Sequence, residues 1–263
     1  MILSTRTRFS SVRLGAGSNI KCICHALLWQ IISFKFVNLS TRTAPAVLFL
    51  SLQSKKRFFM AITVVDYNAG NLTSVMNALK FIGVDAKVSR DADEIAKATR
   101  LIFPGVGAAA SAMETLTKTG IGEAIKAVVK AGNPVLGICI GCQIVLEESE
   151  EDGGVKTLGL IPGRAVRFKD EPGLKIPHMG WNQVNFTREH PIMKGIRSGC
   201  DFYYVHSYYP QVPAEYSFAE TTYGTQTFSG LIGKDNLIAS QFHQEKSGEV
   251  GLAMLKNFCD WNV

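Results

Sequence analysis

From Met60 onward, short β-branched runs alternate with amphipathic segments, and this alternation constrains the fold more than any other feature of the chain. "ITVVDY" predicts a strand, "NLTSVMNALKFIG" a helix stopped at Gly83, "DAKVSR" a strand, "ADEIAKAT" a helix and "RLIFPG" a strand. "ASAMETLTKTGIGEAIKAVVKAG" follows as one or two helices, "NPVLGI" as a wholly apolar strand and "IGCQIVLEESE" as a helix. Strands that are apolar throughout and separated by helices belong to a parallel sheet covered on both faces, so the chain is expected to be α/β. After Gly153 the segments become shorter and aromatic-rich ("AVRFK", "NQVNF", "DFYYVHSYYP", "YSFAETTY", "SGLIGKDNLIASQFH"), before "GEVGLAMLKNFCDWN" returns to helix. These later strands are expected to extend or flank the same sheet.

The net charge of +6 suggests nucleic acid until it is divided along the chain. Residues 1–59 hold nine of the 28 Lys and Arg and none of the 22 Asp and Glu, which leaves 19 basic against 22 acidic residues from Met60 on. The body is mildly acidic and carries no basic stripe, which argues against nucleic-acid binding. Residues 1–59 read as a leader outside the fold: either a transit-like segment, Ser/Thr-rich and free of acids, or the product of a start assigned too early. Its apolar runs are too short to span a bilayer. The domain proper is expected over 60–263. Six cysteines spread over 263 residues do not suggest a disulfide-stapled scaffold, and they favour a reducing compartment such as the cytoplasm, or an organelle if the leader is a genuine targeting peptide.

The chemistry centres on "VLGICIGCQIV". An apolar strand runs into Cys139, flanked by Gly137 and Gly141, and then directly into a helix: a nucleophile elbow with Cys in place of Ser. The helix N-terminus favours thiolate, and the Ile140 N–H would face a developing oxyanion. Cys139 and Cys142 also form a C-x-x-C pair, so a redox or metal motif competes with the nucleophile reading. Among the histidines, His178 and His206 lie in aromatic-rich segments where a buried, hydrogen-bonded structural role is the ordinary expectation. His243 differs. Glu245 stands two residues on, and in an extended chain both would project from one face, allowing the carboxylate to orient the imidazole toward a thiol. Cys139, His243 and Glu245 thus form a candidate triad. In "IFPGVGAAASAM", the loop Pro104–Gly107 ends a strand at the same sheet edge, and Gly105, Val106 and Gly107 could supply a second oxyanion donor.

These elements, in this order, resemble the class I, triad-type glutamine amidotransferases. "VVDYNAGNLTSVMNAL", "FPGVGAAASAM", "LGICIGCQIVLEESEED", "KIPHMGWNQV", "FYYVHSYY" and "QFHQEKSGEVGLAMLKNF" are similar, within that family, to the glutaminase subunits of imidazole glycerol phosphate synthase. The resemblance covers Met60 to Val263. It implies a flavodoxin-like α/β fold with a mostly parallel central sheet, helices on both faces and additional later strands. It further implies hydrolysis of glutamine to glutamate and ammonia without cofactor or metal, and a heterodimer with a (β/α)8-barrel cyclase that consumes the ammonia. By the same resemblance Gln143, Glu151 and the backbone at Ser207 and Tyr208 would hold glutamine, with the carboxylate for its α-ammonium and the amide for its α-carboxylate. Trp181, Tyr203 and Lys246 would face the partner. A stand-alone cysteine hydrolase of the γ-glutamyl peptidase type, and a regulatory subunit without turnover, are the other classes compatible with such a fold. The sequence departs from the family pattern at Asn68, where Gly is usual, after "PGVG", where an aromatic is absent, at Cys142 for Met, and at Gln244 for Pro.

Overall fold

The computed structural model describes residues 62–68 and 72–263, so the expectations for residues 1–59 lie outside the described residues. In chain order the elements are β1 (Ile62–Val65), α1 (Leu72–Phe81), β2 (Ala86–Ser89), α2 (Ala92–Ile95), β3 (Leu101–Gly105), α3 (Ala109–Thr119), α4 (Ile121–Lys130), β4 (Val135–Cys139) and α5 (Ile140–Ile144). Then come β5 (Glu148–Ser149), β6 (Val155–Lys156), β7 (Arg164–Arg167), β8 (His178–Phe186), β9 (Cys200–His206), β10 (Tyr208–Gln211), β11 (Ser217–Tyr223), β12 (Gln226–Lys234), β13 (Leu237–Ser240) and α6 (Gly248–Asp260).

Nine strands form one sheet in the order β2-β1-β3-β4-β13-β12-β11-β8-β9. The fold is α/β as expected, but the sheet is mixed. From β2 to β13 every ladder is parallel, and from β13 to β9 every ladder is antiparallel. The later strands therefore do extend the sheet, while β10-β7-β5-β6 form a second, smaller one.

Strand alternation divides the core into two layers. Ile102 and Ile238 turn to one face, where Val75 and Leu79 of α1 and Met254, Leu255 and Phe258 of α6 cover them. Leu101, Phe103, Leu237 and Ala239 turn to the other, beneath Ala112 and Leu116 of α3 and Ile121, Ala124, Ile125 and Val128 of α4. The α4 set recurs at helical spacing, and each large aliphatic side chain so buried contributes roughly 1.5–3 kcal/mol. Gly120, at φ 73°, breaks the long helical stretch into α3 and α4.

Two helices are shorter than the sequence suggested. α2 is a single turn, capped by the Asp91 carboxylate, which accepts from the N–H groups of Asp93 and Glu94. α5 spans five residues rather than eleven. Its terminal carbonyls are taken from outside: Leu158 N–H donates to Ile144, and both Leu160 and Ile161 donate to Val145. With its C-terminus satisfied in this way the chain turns into β5 instead of continuing the helix. No helix among the described residues is long and apolar enough to cross a membrane.

Candidate active site

Cys139 ends β4 and opens α5 with φ 55° and ψ −105°, a conformation that non-glycine residues rarely hold. The flanking glycines make the turn possible. A Cβ on Gly141 would run into the Phe103 carbonyl oxygen of the neighbouring strand, and one on Gly137 would approach both Ala239 Cβ and the Gly141 backbone at 3.0 Å. The parallel register of β3 and β4 sets Gly105 opposite Cys139, so the Pro104–Gly107 loop and the elbow leave the sheet at the same level. β13 lies beside β4 on its other side, with Ser240 opposite Ile138, and delivers His243 three residues later.

His243 Nδ1 and Glu245 Oε1 are 2.7 Å apart, and the two side chains are 2% and 3% exposed. The contact is not made in the extended chain anticipated from the sequence: His243 is extended, but Gln244–Lys246 form a 3-10 turn that folds the carboxylate back under the ring. With Nδ1 occupied by the carboxylate, Nε2 is the nitrogen left to face the Cys139 sulfur. Burial opposes charge on His243, but the Cys139 sulfur and then the Glu245 carboxylate overcome it and raise the imidazole to about 10. The backbone here is anchored on both sides. The His243 N–H donates to the Tyr203 carbonyl at 2.9 Å and the Ser247 hydroxyl donates to the His243 carbonyl at 2.5 Å, so Gln244 in place of Pro leaves the segment held.

A cleft of about 340 Å³ opens over Cys139 and Ile140 and is lined by Val106, Gly107, Gln143, Glu151, Ser207 and Tyr208, among others. The sequence-predicted oxyanion and glutamine-binding residues thus converge, except that Gly105 sits behind Val106 in the sheet. Gln143 Nε2 donates both to the Tyr208 carbonyl, at 2.9 Å, and to Gln241 Oε1, at 3.1 Å. Both amide hydrogens are spent, and what Gln143 has left for a ligand is an acceptor. Glu151 Oε2 accepts the Ala109 N–H at 2.7 Å at the start of α3. Burial raises its pKa, against the lowering effect of that hydrogen bond.

His178 and His206 are the buried structural pair that the sequence suggested, linked at 2.9 Å between Nδ1 and Nε2. Burial depresses them to about 4 and about 3, respectively. Cys142 is fully buried and burial pushes its thiol well up, which suits an inert core position rather than half of a redox pair. Asn68 takes the left-handed conformation at φ 62°, and its N–H donates to Asp66 Oδ1 at 3.0 Å; asparagine is one of the few residues that can replace glycine there. On the exposed hairpin, Trp181 stands opposite Tyr203 with ring centroids 6.0 Å apart, and Lys246 Nζ lies 5.8 Å from the Tyr203 ring centre.

The family model that matches this chain, over residues 63–261, is glutamine amidotransferase class-I. The chain belongs to that family. Within it, the amidotransferase is 44% identical over 197 residues to the imidazole glycerol phosphate synthase subunit HisH of Listeria monocytogenes, covering 75% of this chain and 94% of the relative. It is 47% identical over 203 residues to the HisH subunit of Nitratidesulfovibrio vulgaris, again across 75% and 94% of the two chains. A solved glutamine amidotransferase superposes with a TM-score of 0.58 at 18% identity, covering 74% of this chain and 98% of that one, which bears on the fold alone. Gln241, buried and touching both Gln143 and Cys139, is a site residue that the sequence does not single out, as are Pro177 and Val205, which line the cleft. The only sequence signal of Gln241 is its place two residues before His243.

Proposed function

We propose that this amidotransferase is the glutaminase subunit of an imidazole glycerol phosphate synthase, acting through Cys139, His243 and Glu245. Cys139 Sγ attacks the γ-carboxamide of glutamine while its proton is held at His243 Nε2, and Glu245 fixes the ring by accepting from Nδ1. The proton passes to the departing ammonia, and water attacks the resulting thioester to release glutamate. The oxyanion is met by the Ile140 N–H and a second donor from the Gly105–Val106–Gly107 loop. Glu151 and the free Gln143 Oε1 take the α-ammonium, and an N–H of the Ser207–Tyr208 segment takes the α-carboxylate. This revises the role first expected of the Gln143 amide, since both its hydrogens are already bound within the fold.

Ammonia is then delivered to a (β/α)8-barrel cyclase docked on the hairpin of Trp181 and Tyr203 and on Lys246. There it combines with a phosphoribulosyl aminoimidazole to give imidazole glycerol phosphate and an aminoimidazole carboxamide ribotide. We place the reaction in the cytoplasm and the catalytic domain at residues 60–263, with residues 1–59 dispensable for both turnover and docking. The observation that carries the reading is the 2.7 Å His243–Glu245 pair buried beside an elbow cysteine. Ammonia release from glutamine, with and without a barrel cyclase loaded with substrate analogue, tests it. Turnover stimulated by the partner and abolished by Cys139→Ser is expected. Full turnover without a partner would instead point to a stand-alone hydrolase, and none under any condition to a regulatory subunit.

A further inference from the structure

The carbonyl of Tyr208 accepts from two side chains at once, His206 Nδ1 at 2.8 Å and Gln143 Nε2 at 2.9 Å. A carbonyl can only accept, so both atoms that face it are donors. The orientation of the Gln143 amide is thereby fixed, and its second hydrogen meets Gln241 Oε1 at 3.1 Å. That contact fixes Gln241 in turn, leaving its Nε2 directed at Cys139 Sγ, 3.9 Å away. The far side of the chain is equally determined. Neutral His206 with its proton on Nδ1 must accept at Nε2, so the proton between the two rings belongs to His178 Nδ1, 2.9 Å away. Asn182 Nδ2 then donates to His178 Nε2 at 3.3 Å. Every amide and ring along this path therefore has one orientation, and the last group in it is an N–H aimed at sulfur.

Cys139 Sγ has a second neighbour, the Val205 carbonyl, also at 3.9 Å. The two neighbours serve different states of the sulfur: a thiol can donate to the Val205 oxygen, whereas a thiolate repels that oxygen and attracts the Gln241 amide. Gln241 is wholly buried, so no water competes for its N–H, and a hydrogen bond to a charged acceptor there is stronger than one to a neutral acceptor.

We propose that Gln241 is a further catalytic residue of the glutaminase reaction, the hydrogen-bond donor that sustains negative charge on the Cys139 sulfur, held in place by the Gln143 amide and the Tyr208 carbonyl. When the proton moves from Sγ to His243 Nε2, charge is conserved between the two and Gln241 Nε2–H supports the sulfur side. The inference rests on Cys139 being the nucleophile. It also ties glutamine recognition to nucleophile activation, because the residue offered to the ligand, Gln143, is the one that aims Gln241.

The test uses the full chain and iodoacetamide, a small reagent that consumes thiolate without needing the glutamine site, with alkylation followed by mass spectrometry of the Cys139 peptide. Gln241→Met removes the donor at similar volume and is expected to slow alkylation at neutral pH about tenfold, the lower end of what a hydrogen bond to a charged group contributes. Gln241→Glu places a like charge beside the sulfur and is expected to slow it further. Turnover falls in the same order. Alkylation within about twofold of the unmodified chain in both variants overturns the proposal. Should either variant fold poorly, the unmodified chain still decides: the Gln241 side-chain amide signal in NMR must move as the sulfur ionises, and a signal flat across that titration rejects the hydrogen bond. Cys139→Ser separates the two readings. If it still hydrolyses glutamine the nucleophile assignment fails, whereas a dead Cys139→Ser with normal alkylation of the Gln241 variants removes this inference alone.

Discussion

His243 and Tyr203 are joined by an isolated antiparallel bridge in which the His243 N–H donates to the Tyr203 carbonyl at 2.9 Å. The residue that presents its ring beside Trp181 on the exposed hairpin thus also holds the backbone of the candidate base. Trp181, 57% exposed, has the profile of an aromatic anchor. Trp181→Ala should weaken binding of the barrel cyclase by about 2 kcal/mol, roughly thirtyfold in Kd, as measured by titration calorimetry. The melting temperature of the isolated chain should shift little. An unchanged Kd would mean that the partner docks elsewhere.

The two cysteines of the C-x-x-C separate by substitution. Cys139→Ser should abolish glutamine hydrolysis, while Cys142→Ala should retain it at a cost of about 1 kcal/mol for the small cavity left in the core. Alanine is the better probe than methionine, because Cys142 is fully enclosed and added volume would strain its neighbours. Equal loss of activity in both variants would revive the redox pair.

His243 provides a pH signature. Its folded value of about 10 lies above the ordinary 6.5, so the stability it contributes is fully present below about 6.5 and is lost as the pH rises through about 10. The Cys139 sulfur supplies much of that elevation while burial opposes it, so Cys139→Ala should bring the imidazole titration, followed by NMR, down steeply. A midpoint that stays near its original position would show that Glu245 alone sets it.

Gly107, at φ 102°, is in a conformation that side-chain-bearing residues rarely adopt, although a Cβ there would meet nothing within 4 Å. Gly107→Ala should therefore act through backbone conformation rather than crowding. Loss of an oxyanion donor costs on the order of 100- to 1000-fold in turnover, with glutamine affinity retained. The same loop offers a route for the partner, since docking that favours the donor-in conformation would raise turnover and leave affinity alone. Stopped-flow and equilibrium binding, alone and in complex, distinguish the two effects, and a partner effect on affinity only would count against the loop.

Much of this was legible because it is written in local pattern. The apolar run before Cys139, the helical spacing in α4 and the glycines around the elbow each report a constraint that acts over a few residues. The mixed character of the sheet was not, because β13 joins β4 in parallel and β12 in antiparallel, and pairing direction has no local signature. The length of α5 was hidden for a related reason: the groups that cap its carbonyls, Leu158 to Ile161, are remote from it in the pattern that predicts helices. The spacing of His243 and Glu245 predicts their pairing, but the backbone between them is a 3-10 turn in place of a strand. Gln241 is not legible in the sequence because a single glutamine carries no periodicity, and only the network around Tyr208 gives it a direction.

The position of β13 has a consequence in time. It lies between β4 and β12, yet it comes after every other described strand in chain order. Until a ribosome has released it, β4 has an open edge and Cys139 stands on that edge without His243, Glu245 or Gln241 beside it. Such long-range pairing is among the slower steps of folding. The strand that completes the chain's sheet is thus also the one that links its parallel half to its antiparallel half and carries Gln241 and the candidate base to Cys139, so assembly of the sheet and assembly of the site are one and the same pairing.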